Sequence, residues 1–138
     1  MKLDLNSLEK AIHKLKTNLN LLGKEGISRE EKEAFEDACI QAFEYTYELT
    51  HKTLKRYLEE TEPNRDDVDR WTFQDLIRHG AERGLLLNSW DKWTEYRYSR
   101  NKTSHSYDSS VVEVVIHIIP EFIVEAEFLL NQVRHAQE

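Results

Sequence analysis

Hydrophobic positions recur with a helical period along most of the chain. Over residues 6–22 they fall three or four positions apart, which predicts an amphipathic helix that ends at Gly23. The same spacing continues over residues 28–61, where Ser28 and Glu31 form a capping-box pattern at the start of a second helix. A helix of that length measures about 50 Å at 1.5 Å per residue. It would therefore be longer than the core of a small domain.

Two shorter helices are predicted in the middle of the chain. Thr72 and Asp75 are typical of a helix N-terminus, and Gly84 is typical of the position where such a helix ends. Residues 85–87 are three leucines, which predict a buried connector. Ser89 then begins a fourth predicted helix.

The last predicted helix runs over about residues 110–135. Ser110 and Glu113 form a second capping-box pattern, and Pro120 within the helix is expected to kink its axis. The polar segment 63–71 is predicted to be a loop. The whole pattern predicts an all-α bundle of about five helices, two of them long.

Composition narrows the class of protein further. The 138 residues predict a single domain over residues 1–138, and two prolines and four glycines leave few β-turn signals. Cys39 is the only cysteine, it falls on the apolar face of the second helix, and it fits a reducing compartment. No apolar run reaches about 18 residues and the N-terminus does not resemble a signal peptide, so we expect a cytoplasmic protein without a membrane partner.

The charge is distributed unevenly along the chain. The net charge is −7, yet residues 70–107 contain seven Arg and Lys against four Asp and Glu. All three tryptophans lie in this basic window. The helical spacing of Trp90 and Trp93 is more typical of a core or an interface than of a platform that stacks nucleic-acid bases.

Metal and cofactor chemistry find no support in the sequence. The six histidines form no His-x3-His pair and no His-Glu-x-x-His motif, and none is paired with Cys39 at ligand spacing. No glycine-rich phosphate loop is present either. We therefore expect neither a metal nor a cofactor.

One segment, residues 97–107, carries candidate chemistry. It contains Arg97, Arg100, Lys102, His105 and Tyr107 near the predicted end of a helix. Arginine suits phosphate oxygens, and histidine transfers protons near neutral pH, so the pair would cleave RNA without a metal. Alternatively, the histidine caps the helix C-terminus and the arginines pair with neighbouring carboxylates. The residue types alone leave both interpretations open.

The segment 93–107 resembles the signature of the HEPN superfamily in its R-x4-H-x-Y form, with a polar residue after the arginine. The positions that carry the resemblance are Trp93, Tyr96, Arg97, Arg100, Asn101, His105 and Tyr107. Residues 43–55 and 72–85 resemble one branch of it, the nucleotidyltransferase substrate-binding proteins, which are close to the HepT toxins. The resemblance covers residues 3–135.

This resemblance implies an up-and-down bundle that dimerises, with motifs from both protomers in one cleft. It also implies a toxin–antitoxin pair whose other member is a minimal nucleotidyltransferase. In the toxin branches, Arg100 and His105 correspond to the catalytic pair of a metal-independent endoribonuclease, and Asn101 supports them. Tyr107 corresponds to the tyrosine that the partner adenylylates. The length of the two long helices independently predicts a dimer.

Several residues around the motif have secondary roles in this hypothesis. Arg97 and Lys102 would bind the RNA backbone beside Arg100. Glu44 and Glu48 are one helical turn apart, and either would orient an arginine or histidine across the cleft or remain a solvated carboxylate.

Two other functions stay open. One is a non-catalytic subunit that presents a nucleotide or RNA to a nucleotidyltransferase, and the other is a plain helical interaction module.

Overall fold

The computed structural model describes residues 2–138, and it contains six α-helices and one 3-10 turn. The helices are α1 (Asn6–Leu22), α2 (Arg29–Thr61), α3 (Arg65–Arg70), α4 (Phe73–Glu82), α5 (Trp90–Lys102) and α6 (Ser109–Ala136). The 3-10 turn covers Thr103–His105, between α5 and α6. These described residues include no strand. The prediction of an all-α bundle with two long helices is confirmed.

The two long helices, α2 and α6, form the centre of the bundle. The remaining helices pack on them, with α1 along α2 and α5 along α6. A cluster of buried aromatic rings lies where α2, α5 and α6 meet. In this cluster the centres of the Trp93 and Phe122 rings are 6.0 Å apart and the rings are nearly perpendicular. Trp93 is therefore a core residue, as its spacing indicated, and Trp90 packs partly buried beside it.

Two of the predicted helix caps are present. The Ser28 side chain accepts a hydrogen bond from the Glu31 N–H at 3.1 Å, and Glu31 accepts one from the Ser28 N–H at 3.1 Å. Thr72 and Asp75 make the same reciprocal pair at the start of α4. The N-termini of α2 and α4 therefore lie where the sequence predicts them.

The expected loop over residues 63–71 is wrong, because residues 65–70 form α3. The Asn64 side chain caps this helix by accepting a hydrogen bond from the Asp66 N–H at 3.0 Å. Val68 is its only buried residue. Six residues with one apolar position give too short a pattern for a periodicity argument.

The second capping box is also wrong. Asp108 caps α6, and its carboxylate accepts hydrogen bonds from the Ser110 N–H at 2.9 Å and from the Ser110 hydroxyl at 2.7 Å. A carboxylate also complements the positive end of the helix dipole, so it is a favourable cap here. At α5, Ser89 occupies the N-cap position without a side-chain hydrogen bond.

The leucine connector is less buried than the sequence indicated. Leu87 is 48% exposed, so only Leu85 and Leu86 of the leucine connector are buried. In the polar segment after Arg100, Thr103 is buried and its hydroxyl donates to the Arg100 carbonyl at 2.8 Å. Threonine's hydroxyl is satisfied by this local bond, which allows a polar residue to be buried.

Glu125 of α6 holds the start of α5 in place. Its fully buried carboxylate accepts hydrogen bonds from the Leu87 N–H at 2.6 Å and the Asn88 N–H at 3.2 Å. The Asn88 side-chain amide donates to the same carboxylate at 3.0 Å, and the Tyr96 hydroxyl does so at 3.4 Å. Burial raises the pKa of Glu125, and these hydrogen bonds oppose the shift.

Within residues 2–138, none of the helices combines the length and the apolar character needed to cross a lipid bilayer.

Candidate functional site

The C-terminal half of α5 lies against the middle of α2, and its two arginines contact different helices, Arg97 the ring of Phe73 on α4 and Arg100 the helix α2. The Arg97 guanidinium lies over the ring of Phe73, with its carbon 5.1 Å from the ring centre. Arg100, one helical turn later, faces α2, where its Nε is 3.3 Å from Glu48 Oε1. Glu48, one of the two carboxylates of α2 that the sequence singled out, therefore pairs with the arginine of the motif.

Arg100 is held on two sides. Its Nη1 donates a weak hydrogen bond to Thr103 Oγ1 at 3.4 Å, while Nε is buried in an ion pair with Glu48 that lacks hydrogen-bond geometry. The side chain is 30% exposed. A half-buried guanidinium keeps its charge and is less screened than a fully exposed one, so it suits the binding of an anion.

His51 is a member of this site that the sequence analysis missed. Its Nε2 is 3.1 Å from Glu48 Oε2, and its ring packs edge-on against Phe73 at 5.5 Å between centres. Burial lowers the pKa of His51, and the charge of Glu48 opposes that shift. The imidazole is therefore neutral at pH 7. Its position three residues after Glu48 on α2 was the available signal.

His105 and Tyr107 lie at the other end of the motif, exposed to solvent. His105 ends the 3-10 turn, and Tyr107 is 87% exposed. Their ring centres are 6.1 Å apart in an edge-on arrangement. Among residues 2–138, neither side chain makes a hydrogen bond or an ion pair within the protein. Both groups are thus accessible to a second molecule.

The remaining predicted site residues are less constrained. Lys102 lies with its Nζ 5.3 Å from the centre of the Tyr98 ring, and Asn101 is exposed. Glu44 is half-buried one turn before Glu48, and in the described part of the chain it pairs with no cation. Of the two carboxylates that sequence reasoning treated alike, only Glu48 contacts an arginine.

The site thus has two parts. We call the group of Glu48, His51, Arg97 and Arg100 the α2–α5 wall, and residues His105–Tyr107 the exposed turn. The sequence motif spans both parts, but the structure joins only Arg100, Glu48 and His51 by direct contacts. A guanidinium is a group that can bind phosphate, and a solvent-accessible imidazole is a group that can transfer a proton.

No group of three or more His, Cys, Asp or Glu side chains in residues 2–138 has an arrangement that would hold a metal ion. Burial raises the pKa of the Cys39 thiol to about 11, so this cysteine stays protonated.

A groove between α5 and α6 adjoins the motif. Its volume is about 710 Å³, and its lining includes Tyr98, Val114 and Ile118. Tyr98 is 57% exposed, and Val114 is also exposed. Large apolar side chains on one surface are typical of a face that contacts another protein.

Comparison with known proteins places the chain in a family. The family model described as nucleotidyltransferase substrate binding protein like matches residues 3–135. The chain is 33% identical over 141 residues to a Haemophilus influenzae protein named "Probable ribonuclease HepT", covering 99% of this chain and 96% of that protein.

Two solved structures have the same fold. One is described as the fold of a substrate-binding domain of a nucleotidyltransferase, also from Haemophilus influenzae, with a TM-score of 0.89 and 32% identity over 95% of this chain and 99% of that one. The other is a Thermus thermophilus protein with a TM-score of 0.69 and 29% identity over 92% of this chain and 98% of that one. The family resemblance read from the motif is confirmed: the chain belongs to the nucleotidyltransferase substrate-binding-like family, in which it resembles HepT.

Proposed function

We propose that this protein is a metal-independent endoribonuclease, and that it acts as the toxin of a pair with a minimal nucleotidyltransferase. The observation that carries the proposal is the presence, on one segment, of an arginine held by Glu48 and an exposed histidine five residues later. The similarity to the protein named a probable ribonuclease supports it.

The proposed chemistry uses only side chains. His105 takes the proton of an RNA 2′-hydroxyl, whose oxygen attacks the adjacent phosphorus, or it protonates the leaving 5′-oxygen. The bond between phosphorus and the 5′-oxygen breaks, leaving a 2′,3′-cyclic phosphate and a 5′-hydroxyl. Arg100 stabilises the additional negative charge on the phosphate oxygens. Asn101 supports this pair, while Arg97 and Lys102 bind neighbouring phosphates.

We also propose that the active form is a homodimer. The 33 residues of α2 make a helix about 50 Å long, and the groove between α5 and α6 exposes Tyr98 and Val114 beside the motif. A symmetric dimer through this face would bring two copies of the motif to one cleft. Light scattering at micromolar concentration should give about twice the 16.4 kDa monomer mass, and a monomer mass would contradict the dimer.

The catalytic proposal is tested with a 5′-labelled single-stranded RNA of mixed sequence. The wild-type protein should cleave it in the presence of EDTA and leave 2′,3′-cyclic phosphate ends. Loss of cleavage on chelation, restored by added Mg²⁺, would contradict a metal-independent mechanism.

The second candidate is a non-catalytic subunit that presents a nucleotide or RNA to a nucleotidyltransferase. The description of the matching family and of the Haemophilus influenzae structure favours it. Expression of the protein alone distinguishes the two, because a ribonuclease should arrest growth through Arg100 and His105. A binding subunit should have no such effect.

The nucleotidyltransferase partner is proposed to silence the toxin by adenylylating Tyr107. Support comes from the exposure of this side chain and its freedom from internal hydrogen bonds within residues 2–138. The modification would add bulk and negative charge to the exposed turn, where it would repel the RNA backbone. Co-expression followed by intact-mass measurement should show an added adenylate. An unchanged mass with growth restored would contradict this mode of control.

A further inference from the structure

One carboxylate links the motif arginine to a histidine of α2. Glu48 Oε1 is 3.3 Å from Arg100 Nε, and Glu48 Oε2 is 3.1 Å from His51 Nε2. Each oxygen thus faces a different donor. Arg100 comes from α5, whereas Glu48 and His51 lie within one turn of α2, so the arrangement forms only when the two helices pack.

His51 fixes the carboxylate without adding a competing charge. An ionised carboxylate only accepts hydrogen bonds, so the imidazole proton lies on Nε2 and is donated to Glu48. His51 is neutral at pH 7 because burial lowers its pKa. Glu48 itself is 37% exposed, and a carboxylate so exposed would otherwise rotate between water and protein partners.

The same contacts determine which edge of Arg100 is available. Glu48 lies against Nε in an ion pair without hydrogen-bond geometry, and Nη1 donates a weak hydrogen bond to Thr103, whereas no partner of Nη2 is found among residues 2–138. A guanidinium binds phosphate through pairs of N–H groups in a fixed planar fork. With Nε against Glu48 and Nη1 on Thr103, the Nη2 group is the part of the guanidinium left to bind a phosphate.

We propose that His51 and Glu48 are positioning residues for Arg100: His51 fixes the Glu48 carboxylate, and Glu48 aims the Nη edge of Arg100 at the scissile phosphate. This inference rests on the proposed ribonuclease function and adds a residue, His51, that lies outside the R-x4-H-x-Y motif. Neither His51 nor Glu48 need touch the RNA.

Two substitutions separate positioning from packing, because His51 also packs edge-on against Phe73 and Tyr47. His51→Gln keeps an N–H donor near the place of Nε2, whereas His51→Leu keeps apolar packing and removes the donor. Positioning predicts that His51→Leu lowers kcat for the labelled RNA by about 10²-fold with KM little changed, and that His51→Gln stays within about threefold of wild type. The opposite order, with Leu the more active, would overturn the proposal.

The matched controls are His13→Gln and His13→Leu. His13 is an exposed histidine of α1 with no contact to the motif in residues 2–138. Both control variants should retain wild-type kcat. If His13→Leu lost as much activity as His51→Leu, the effect would not be specific to the triad of Glu48, His51 and Arg100, and the proposal would fail.

A second measurement needs no RNA and therefore separates this proposal from the proposed function. His51 faces Glu48, Lys52 and Tyr47 from α2, Arg100 from α5 and the Phe73 ring from α4. Burial raises the pKa of Tyr47 to about 12, so this phenol stays neutral while the histidine titrates.

In an NMR titration of the free protein, Glu48→Gln should lower the His51 midpoint, because the anion that favours the protonated ring is lost. Arg100→Gln should raise it, because a repelling cation is lost. Midpoints that do not move would overturn the triad even if RNA is cleaved. Shifts in the expected directions without any RNA cleavage would support the triad and contradict the ribonuclease proposal instead.

Discussion

Two glutamates on the two long helices hold the ends of α5 in different ways. Glu125 of α6 is fully buried and accepts hydrogen bonds from the backbone N–H groups of Leu87 and Asn88, just before α5. Glu48 of α2 is partly exposed. It pairs with the side chain of Arg100 near the end of α5 and with that of His51 on its own helix. The carboxylate of Glu125 holds the backbone in place, whereas the carboxylate of Glu48 holds a side chain of the candidate site, that of Arg100.

This difference separates stability from function. Removing a buried acceptor leaves its donors unsatisfied, which costs about 1–3 kcal/mol for each group. A partly exposed ion pair such as that of Glu48 and Arg100 contributes about 0–1 kcal/mol, because solvent and salt screen it. Glu125 is therefore a structural residue, whereas Glu48 has little stabilising role and is available for orienting Arg100.

The largest effect on stability is expected from Glu125→Leu. The substitution leaves the N–H groups of Leu87 and Asn88 without an acceptor, so the free energy of unfolding should fall by about 3 kcal/mol. Urea denaturation followed by circular dichroism measures it. A decrease in the free energy of unfolding below about 1 kcal/mol would show that Glu125 contributes no more to stability than a partly exposed carboxylate such as Glu48.

The next effect is a pH dependence carried by Glu125. Because burial raises its pKa in the folded protein, the folded state binds this proton more tightly than the unfolded state does. The stability of wild type relative to Glu125→Gln should therefore be highest at acidic pH. It should decrease as the pH rises from the ordinary carboxyl range through the raised pKa. Paired urea titrations measure the difference, and an increase with pH would contradict a raised pKa.

A smaller effect is expected from Glu48→Gln. Since its ion pair with Arg100 is partly exposed, the free energy of unfolding should change by no more than about 1 kcal/mol. The same urea experiment as for Glu125→Leu makes the comparison direct. A loss of about 3 kcal/mol would mean that Glu48 is a structural residue as well.

The smallest effect is expected from Tyr107→Phe. The side chain is almost fully exposed, so stability should change by less than about 0.5 kcal/mol, and RNA cleavage should stay near the wild-type rate. Growth arrest should, however, escape neutralisation by the partner nucleotidyltransferase. Neutralisation equal to that of wild type would show that Tyr107 is not the modified residue.

Helix periodicity and caps predicted most of the fold. The patterns over residues 6–22 and 28–61 match α1 and α2, and the caps at Ser28 and Thr72 are present because local sequence alone determines them. The short helix α3 was missed, because one apolar position in six residues cannot show a repeat of the helical period. The N-cap of α6 is Asp108 and not Ser110. Both residues are good N-caps and lie two positions apart, and a capping-box pattern does not decide between them.

The site was predicted less completely, because its contacts depend on how α2 and α5 pack. Glu44 and Glu48 are equivalent in a helical pattern, and only tertiary packing determines that Glu48 faces Arg100. His51 was missed for the same reason, since a histidine three residues after a glutamate is an ordinary pair until an arginine from another helix joins them. The roles of Arg100 and His105 came from the motif and stay predictions.

The measurement that tests the central claim most directly is RNA cleavage by His105→Ala beside wild type, in EDTA and at matched concentration. His105 is exposed and makes no side-chain hydrogen bond within residues 2–138, so the variant should unfold at the same Tm as wild type. Loss of a proton-transfer group predicts a decrease in cleavage rate of about 10²–10⁴-fold. Equal cleavage by the two folded proteins would contradict the assignment of His105 and, with it, the ribonuclease proposed for this site.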